Sequence, residues 1–266
     1  MAKKRKTYRL RRGDVIYIEE YHDGNYGAPG KKRVKKSKPT KEQMQQVNAM
    51  NKAKRARLRL LEYFRPGDCF ATWTYEVQNR PPDMKTALKH FQTALRSVRK
   101  EYKKKGRELF WIRNIERGTK GAWHIHLVVN EIGGTTAILE KAWEYGITYC
   151  SAIRKNSKVY DEDFTKLANY ITKDENSKYL KKDGEAGKTR IKESNYGTSR
   201  NMPLPEPRTK KIIKWKEPKA RKGYTLIRCH EGTNPMGFRY RRYTMVRIDS
   251  ETDKLIRKVR ATWNSE

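Results

Sequence analysis

Acidic residues are scarce in this sequence. Asp and Glu number 30 against 63 Lys and Arg, a formal charge of +33 over 266 residues. Such an excess repels itself, which excludes a polyanion-like surface and argues for a partner that neutralises it; each phosphate contact would also release counterions. Cysteines are few, and Cys69, Cys150 and Cys229 form no CxxC pair. That spacing argues against a zinc ribbon or a disulfide framework and leaves buried free thiols in a reducing compartment as the expectation. No apolar run approaches spanning length and no signal-peptide core is present, so no membrane partner and a cytoplasmic (bacterial) location are expected. No GxxxxGK[ST] sequence occurs, so a fused helicase is not expected.

Nucleic acid is the favoured partner, with a purely structural RNA binder as the plainest alternative and an anionic membrane surface as another. The charge is uneven. Residues 1–60 hold 19 basic and 5 acidic residues, residues 201–266 hold 17 and 7, and the longer middle holds 27 and 18. Ends that grip a backbone and a middle that acts on it would be distributed in this way. The length suits one sizeable domain with appendages or two small ones. We divide it into a basic N-terminal arm and helix (1–64), a central domain (65–200) and a basic C-terminal module (201–266).

Residues 1–40 read as a partly disordered basic arm with one short strand around Val15-Ile16-Tyr17-Ile18. Thr40 can cap a helix to Phe64 whose Lys52, Arg55 and Arg59 are candidate DNA contacts, weighed against an ordinary solvated face. Alternation and β propensity then predict strands at Cys69–Tyr75, Leu109–Glu116, Trp123–Asn130 and Ile147–Ile153. Helices are predicted at about 83–104, 135–145 and 161–171. The order β-α-β-β-α-β-α implies an α+β fold of split βαβ, ferredoxin-like (RRM-like) type, an antiparallel sheet with flanking helices and basic N- and C-terminal extensions. Residues 174–223 read as loop, Tyr224–Ile248 as a β-hairpin, and Thr252 to about Thr262 as a short basic helix.

The chemistry concentrates in WIRNIERGTKGAWHIHLVVN, residues 111–130. Side chains alternate along a strand, so His124 and His126 share one face and Ile125 takes the other. Paired imidazoles suit several divalent ions, but a hard ion also wants a carboxylate. Glu116 can join them only if the hairpin has an odd-length loop or a bulge, which Gly118 or Gly121 could allow; a regular two- or four-residue loop turns it away. The alternative for His-Ile-His is a sheet surface with two ordinary histidines. His22, His90 and His230 read as surface or core residues.

Tyr170 and Lys173 are one helical turn apart, on one face. A phenol attacks a phosphodiester only with help neutralising the phosphate and losing its proton, and Lys173 can supply part of it. A helix tyrosine is more commonly a packing residue. Tyr160 and Tyr179 are rival nucleophiles, and Tyr170 is preferred.

These residues resemble the HUH endonuclease superfamily, specifically the rolling-circle replication initiator (Rep) proteins of bacterial plasmids and phages. The resemblance rests on Phe70-Ala71-Thr72-Trp73-Thr74-Tyr75, His124-Ile125-His126 and Tyr170-Ile171-Thr172-Lys173, over about residues 65–175. Tyr196 and Ser199-Arg200-Asn201 are similar to a segment that often follows the core. The resemblance implies a central antiparallel sheet with the histidines in its middle and the tyrosine helix across it. It implies Mg²⁺- or Mn²⁺-dependent nicking of single-stranded or hairpin DNA at a replication origin. His124, His126 and Glu116 would hold the metal, and Tyr170, assisted by Lys173, would take the 5′ phosphate and leave a 3′ hydroxyl. Arg113 and Arg200 join the candidate DNA contacts, and host helicase and polymerase the candidate partners. Asp174 stands where a second tyrosine would, which implies a single-tyrosine mechanism. A relaxase, a single-tyrosine transposase and a non-catalytic nucleic-acid-binding protein are the competing readings.

Overall fold

The computed structural model describes residues 3–22, 38–118, 121–153, 161–173, 191–235, 237–251, 253–254 and 256–257. It is an α+β structure with two five-stranded antiparallel sheets, and it divides into two compact units. One comprises residues 63–161 and 165–203; the other comprises 1–62, 162–164 and 204–266.

The first unit contains β3 (Cys69–Thr74), α2 (Met84–Lys104), β4 (Trp111–Gly118), β5 (Trp123–Val129), α3 (Thr135–Ala142), β6 (Thr148–Ala152), α4 (Thr165–Ile171) and β7 (Ile191–Thr198). Its sheet runs β6-β3-β5-β4-β7. Strand β5 is therefore inserted between β3 and β4, which α2 connects. One sheet face is apolar by strict alternation. Cys69, Ala71, Trp73, Ile115, Ile125, Leu127 and Val129 bury themselves with Ala87, Phe91, Ala94, Leu95 and Val98 of α2 and Leu139 and Ala142 of α3. Trp73 and Trp143 stack at 4.8 Å, 4° from parallel, and Trp143 donates its indole N–H to the Thr74 carbonyl at 2.9 Å. Asp83 starts α2 by accepting from the Thr86 amide at 2.7 Å, satisfying an otherwise orphaned N–H.

The second unit holds β1 (Lys3–Leu10), β2 (Val15–His22), α1 (Lys41–Tyr63, whose last residue falls in the other unit), β8 (Arg208–Ile212), β9 (Tyr224–Thr233) and β10 (Arg239–Arg247). Its sheet runs β8-β1-β2-β10-β9, so the two ends of the chain pair with each other. Thr40 and Gln43 cap α1 reciprocally, the Gln43 amide to Thr40 Oγ1 at 3.2 Å and the Thr40 amide to Gln43 Oε1 at 2.9 Å. Glu20 is wholly buried, with Arg5 Nε at 2.6 Å, Arg241 Nε at 2.8 Å and the Tyr243 hydroxyl at 3.3 Å, so its desolvation is offset by two charged donors.

Several expectations are corrected. The N-terminal arm is a complete hairpin, β1–β2, rather than one short strand. The segment read as loop contains β7 and β8. Both strands belong to sheets whose partners are remote in sequence, so neither carries a local signal. The basic ends are not separate extensions; they form one sheet. Cys69 is buried, as expected, but Cys150 is half-buried and Cys229 exposed. The expected Tyr224–Ile248 hairpin is present as β9–β10. The arm from 23 to 37, residues 174–190 and most of the expected C-terminal helix lie outside the described residues.

Candidate active site

The β4–β5 hairpin decides the site. Gly118 and Ala122 close it, with the Gly118 amide on the Ala122 carbonyl at 2.7 Å, and the three-residue connection 119–121 ends on Gly121 at φ +78°. The left-handed region is open to glycine at no steric cost. The odd connection puts Glu116 directly opposite His124, and Asn114 opposite His126. All four side chains thus occupy the sheet face away from α2 and α3. From β3, Thr72 pairs with His126 and Phe70 with Val128, so both join this face.

The end of α4 meets that face. The Tyr170 hydroxyl is 3.4 Å from His126 Nε2, and Glu116 Oε2 is 3.5 Å from the same nitrogen. The other imidazole nitrogen, Nδ1, is 3.1 Å from Thr72 Oγ1. When Nδ1–H donates to that hydroxyl, Nε2 keeps its lone pair and turns it to Glu116 and Tyr170. Phe70 stacks on His126 at 6.0 Å and meets the Tyr170 ring edge-on at 5.8 Å, fixing both rings. Lys173 Nζ lies 4.3 Å from the centroid of the Tyr170 ring. Asn114, fully buried, donates to Glu116 Oε1 at 3.0 Å and to the Lys173 carbonyl at 3.3 Å.

His124 lies next to His126, ring centroids 6.4 Å apart. Burial lowers its pKa from the ordinary histidine value; His126 adds to the lowering, Glu116 opposes it and Arg80 lowers it further. His124 is therefore neutral at physiological pH, the form that ligates metals.

Among the described residues, no three His, Cys, Asp or Glu side chains converge closely enough to hold an ion as they stand. The chemistry of the donors nevertheless fits one. Two imidazoles and a carboxylate are a facial set, and two ligands on one ion at about 2.1 Å stand roughly 3 to 3.5 Å apart, the separation of Glu116 and His126. Asn114 Oδ1, buried and without a hydrogen-bond partner, adds an oxygen acceptor beside Glu116.

The structure thus brings together Glu116, His124, His126, Tyr170 and Lys173. It does not bring Arg113 to them. Arg113 projects to the helix face of the sheet, 8% exposed, 4.9 Å from the Phe91 ring centroid and bonded through Nη1 to the Asn195 carbonyl at 2.8 Å. It is a structural residue, and its alternation with Asn114 on β4 is the reason. Arg200 is exposed and lines an open cleft with Arg99, Lys103 and Arg107, at the end of β4 away from the hairpin. On α1, Arg55 is exposed while Lys52 and Arg59 are half-buried. The rival phenols Tyr160 and Tyr179 lie outside the described residues. Sequence reasoning assigned no role to Thr72, Phe70, Asn114 or Arg80. Strand parity carried a signal for the first three; the position of Arg80 beyond β3 carried none.

Residues 68–175 match the model of a family of phage and plasmid replication proteins, described as Replication-associated protein ORF2. The matched segment contains all five residues that the structure brings together. No curated protein and no solved structure matches the chain. Among the described residues, no helix is long and apolar enough to cross a membrane.

Proposed function

We propose that this chain is a replication initiator that nicks and rejoins single-stranded DNA, site- and strand-specifically, at an origin of rolling-circle replication. The observation that carries the reading is the meeting of the Tyr170 hydroxyl and the Glu116 carboxylate at one imidazole nitrogen, His126 Nε2, within a segment similar to a replication-associated family.

His124, His126 and Glu116 would hold Mg²⁺ or Mn²⁺, which when bound supplies positive charge against the non-bridging oxygens of a phosphate. The remaining chemistry belongs to the chain. The Tyr170 oxygen forms a bond to phosphorus while the P–O3′ bond breaks. The products are a 5′-phosphotyrosine and a free 3′ hydroxyl, the phenolic proton being passed on and the leaving oxygen gaining one. The ammonium of Lys173 over the ring offsets negative charge building on the phenol. Thr72 and Phe70 hold His126 in orientation, and Asn114 holds Glu116. Rejoining is the same transfer reversed, with a 3′ hydroxyl attacking the phosphotyrosine. Single-stranded or hairpin origin DNA is the substrate class, and a host helicase and polymerase would extend the 3′ end.

The test is incubation of the chain with single-stranded oligonucleotides and Mn²⁺, followed by denaturing electrophoresis. A denaturation-resistant adduct that requires the metal and disappears in Tyr170→Phe supports the reading. Undiminished adduct in that variant moves the nucleophile elsewhere, and no adduct with any divalent metal leaves a non-catalytic nucleic-acid-binding protein.

A further inference from the structure

The sheet formed by the chain ends carries a feature that the catalytic reading does not use. A cavity of about 240 Å³ is lined by Arg5, Thr7 and Arg9 of β1, Arg208 and Lys210 of β8, and Arg221, with Glu206 as its one acidic wall residue. A second cavity of about 290 Å³ shares Arg9 and Arg221 and adds Arg12, Lys222 and Arg247. The two make one groove along a single unit. Arg5 already serves Glu20, and Arg247 is 3.5 Å from Asp14. Arg9, Arg208, Lys210 and Arg221 are exposed and have no carboxylate partner among the described residues.

Two features of this groove work against stability. Across the β1–β8 ladder Arg5 stands directly opposite Lys210, and like charges in that relation destabilise a sheet. At the turn between β1 and β2, Arg11 and Arg12 hold φ of +49° and +54°, a left-handed conformation that disfavours side chains with a Cβ. Protection of an edge strand by cations accounts for Lys211, which faces the other side of the sheet. It does not account for Arg208 and Lys210, which project with Arg5 and Arg9 into a walled cavity. Alternate residues of a strand stand about 6.6 Å apart, a repeat close to the step between successive phosphates of a nucleic-acid strand.

We propose that this groove is a DNA-backbone site, in which Arg9, Arg208, Lys210 and Arg221 take successive phosphates without reading bases. The proposal rests on the chain acting on DNA and gives the basic ends a defined role, that of holding the substrate while the other unit cuts. The groove supplies affinity and registers the strand; sequence is read elsewhere.

The experiment compares two full-length variants that lose equal charge. One carries Arg9→Gln, Arg208→Gln, Lys210→Gln and Arg221→Gln. The other carries Lys85→Gln, Lys89→Gln, Arg96→Gln and Lys100→Gln, from the exposed face of α2. Binding of labelled duplex and labelled single-stranded DNA is followed by fluorescence anisotropy over a salt series, with thermal melts confirming that both fold. The groove variant is expected to bind at least about tenfold more weakly, with a slope of log K against log salt shallower by about 3, and the α2 variant to change its slope by less than about 1. Equal weakening in both variants would mean diffuse charge and overturns the site, as does a groove variant that binds like the parent. Adduct formation by the unsubstituted chain is scored separately. Its absence sinks the nuclease reading, whereas the salt slopes alone decide the groove.

Discussion

Asn114 and Glu116 sit two apart on one strand, and the amide of the first donates to the carboxylate of the second at 3.0 Å while also holding the carbonyl of Lys173. The tie joins the carboxylate of the site to the end of the helix that presents the phenol. Outer partners of this kind typically change metal affinity or activity by about 10- to 100-fold. Asn114→Ala should therefore raise the Mn²⁺ concentration for half-maximal adduct formation by about tenfold or more, with a smaller loss at saturating metal. Asn114→Asp should be worse, since a second carboxylate would repel Glu116. A metal titration unchanged in both variants would show that the tie is incidental.

Arg113 separates structural from DNA-facing cations. Its guanidinium is buried between Phe91 and Asn195, and burial pulls its pKa down to about 10, leaving it charged at neutral pH. Gly197 leaves room for it: a Cβ there would lie 3.0 Å from the guanidinium carbon. Arg113→Ala is expected to cost about 2 to 4 kcal/mol, from lost packing and an unsatisfied Asn195 carbonyl. Chemical denaturation measures the loss. The salt slope of DNA binding should stay the same; a shallower slope would restore Arg113 to the DNA surface.

Gly146 tests how β6 is joined to β3. The Ile147 amide and carbonyl both pair with Thr74, at 3.1 and 2.9 Å, which draws the backbone at residue 146 against β3. A Cβ there would collide with the Thr74 carbonyl oxygen and lie 2.7 Å from the Glu76 nitrogen, and neither backbone atom can swing aside. Gly146→Ala is expected to destabilise by about 3 kcal/mol, lowering Tm by roughly 6 to 12 °C. A melt within about 2 °C of the parent would mean that this junction yields easily.

What the sequence made legible tracks the range of the interactions concerned. The central strands and helices were readable because their own alternation and periodicity encode one buried face, as in Phe70-Ala71-Thr72-Trp73 and Trp123-His124-Ile125-His126. The facing of Glu116 was reduced to one question, the parity of the hairpin connection, and the structure answered it through Gly121. Strands β7 and β8 were not readable. Ile191–Thr198 and Arg208–Ile212 are polar, and they become strands only because β4 and β1 offer open edges about 80 and 200 residues upstream in the chain. The same reason hid the union of the two ends: a hairpin at residues 3–22 shows nothing of a partner at 239–247. Asn114 escaped notice because an asparagine between charged neighbours has no pattern until the end of α4 is placed over it.

His90 provides a pH test away from the site. Its ring stacks on Tyr145 at 3.9 Å, 13° from parallel, with Tyr75 at 5.8 Å, and burial lowers its pKa below the ordinary histidine value. Burial likewise lowers His22 and His230, helped by nearby cations, Lys3 and Arg239 for the first and Arg242 and Arg228 for the second. In the unfolded chain each of these groups takes a proton near pH 6.5, and in the folded chain only at lower pH. The unfolded state therefore binds more protons across that interval, and stability rises with pH. The contribution is complete above about pH 6.5 and is lost as the pH falls through the depressed folded values. Urea midpoints should accordingly drop between neutral and mildly acidic pH, and His90→Gln should flatten part of that drop while leaving metal-dependent adduct formation intact. If the variant and the parent lose stability in parallel, the stacked ring on α2 takes no part in the acid sensitivity, and carboxylates such as the buried Glu20 must carry it.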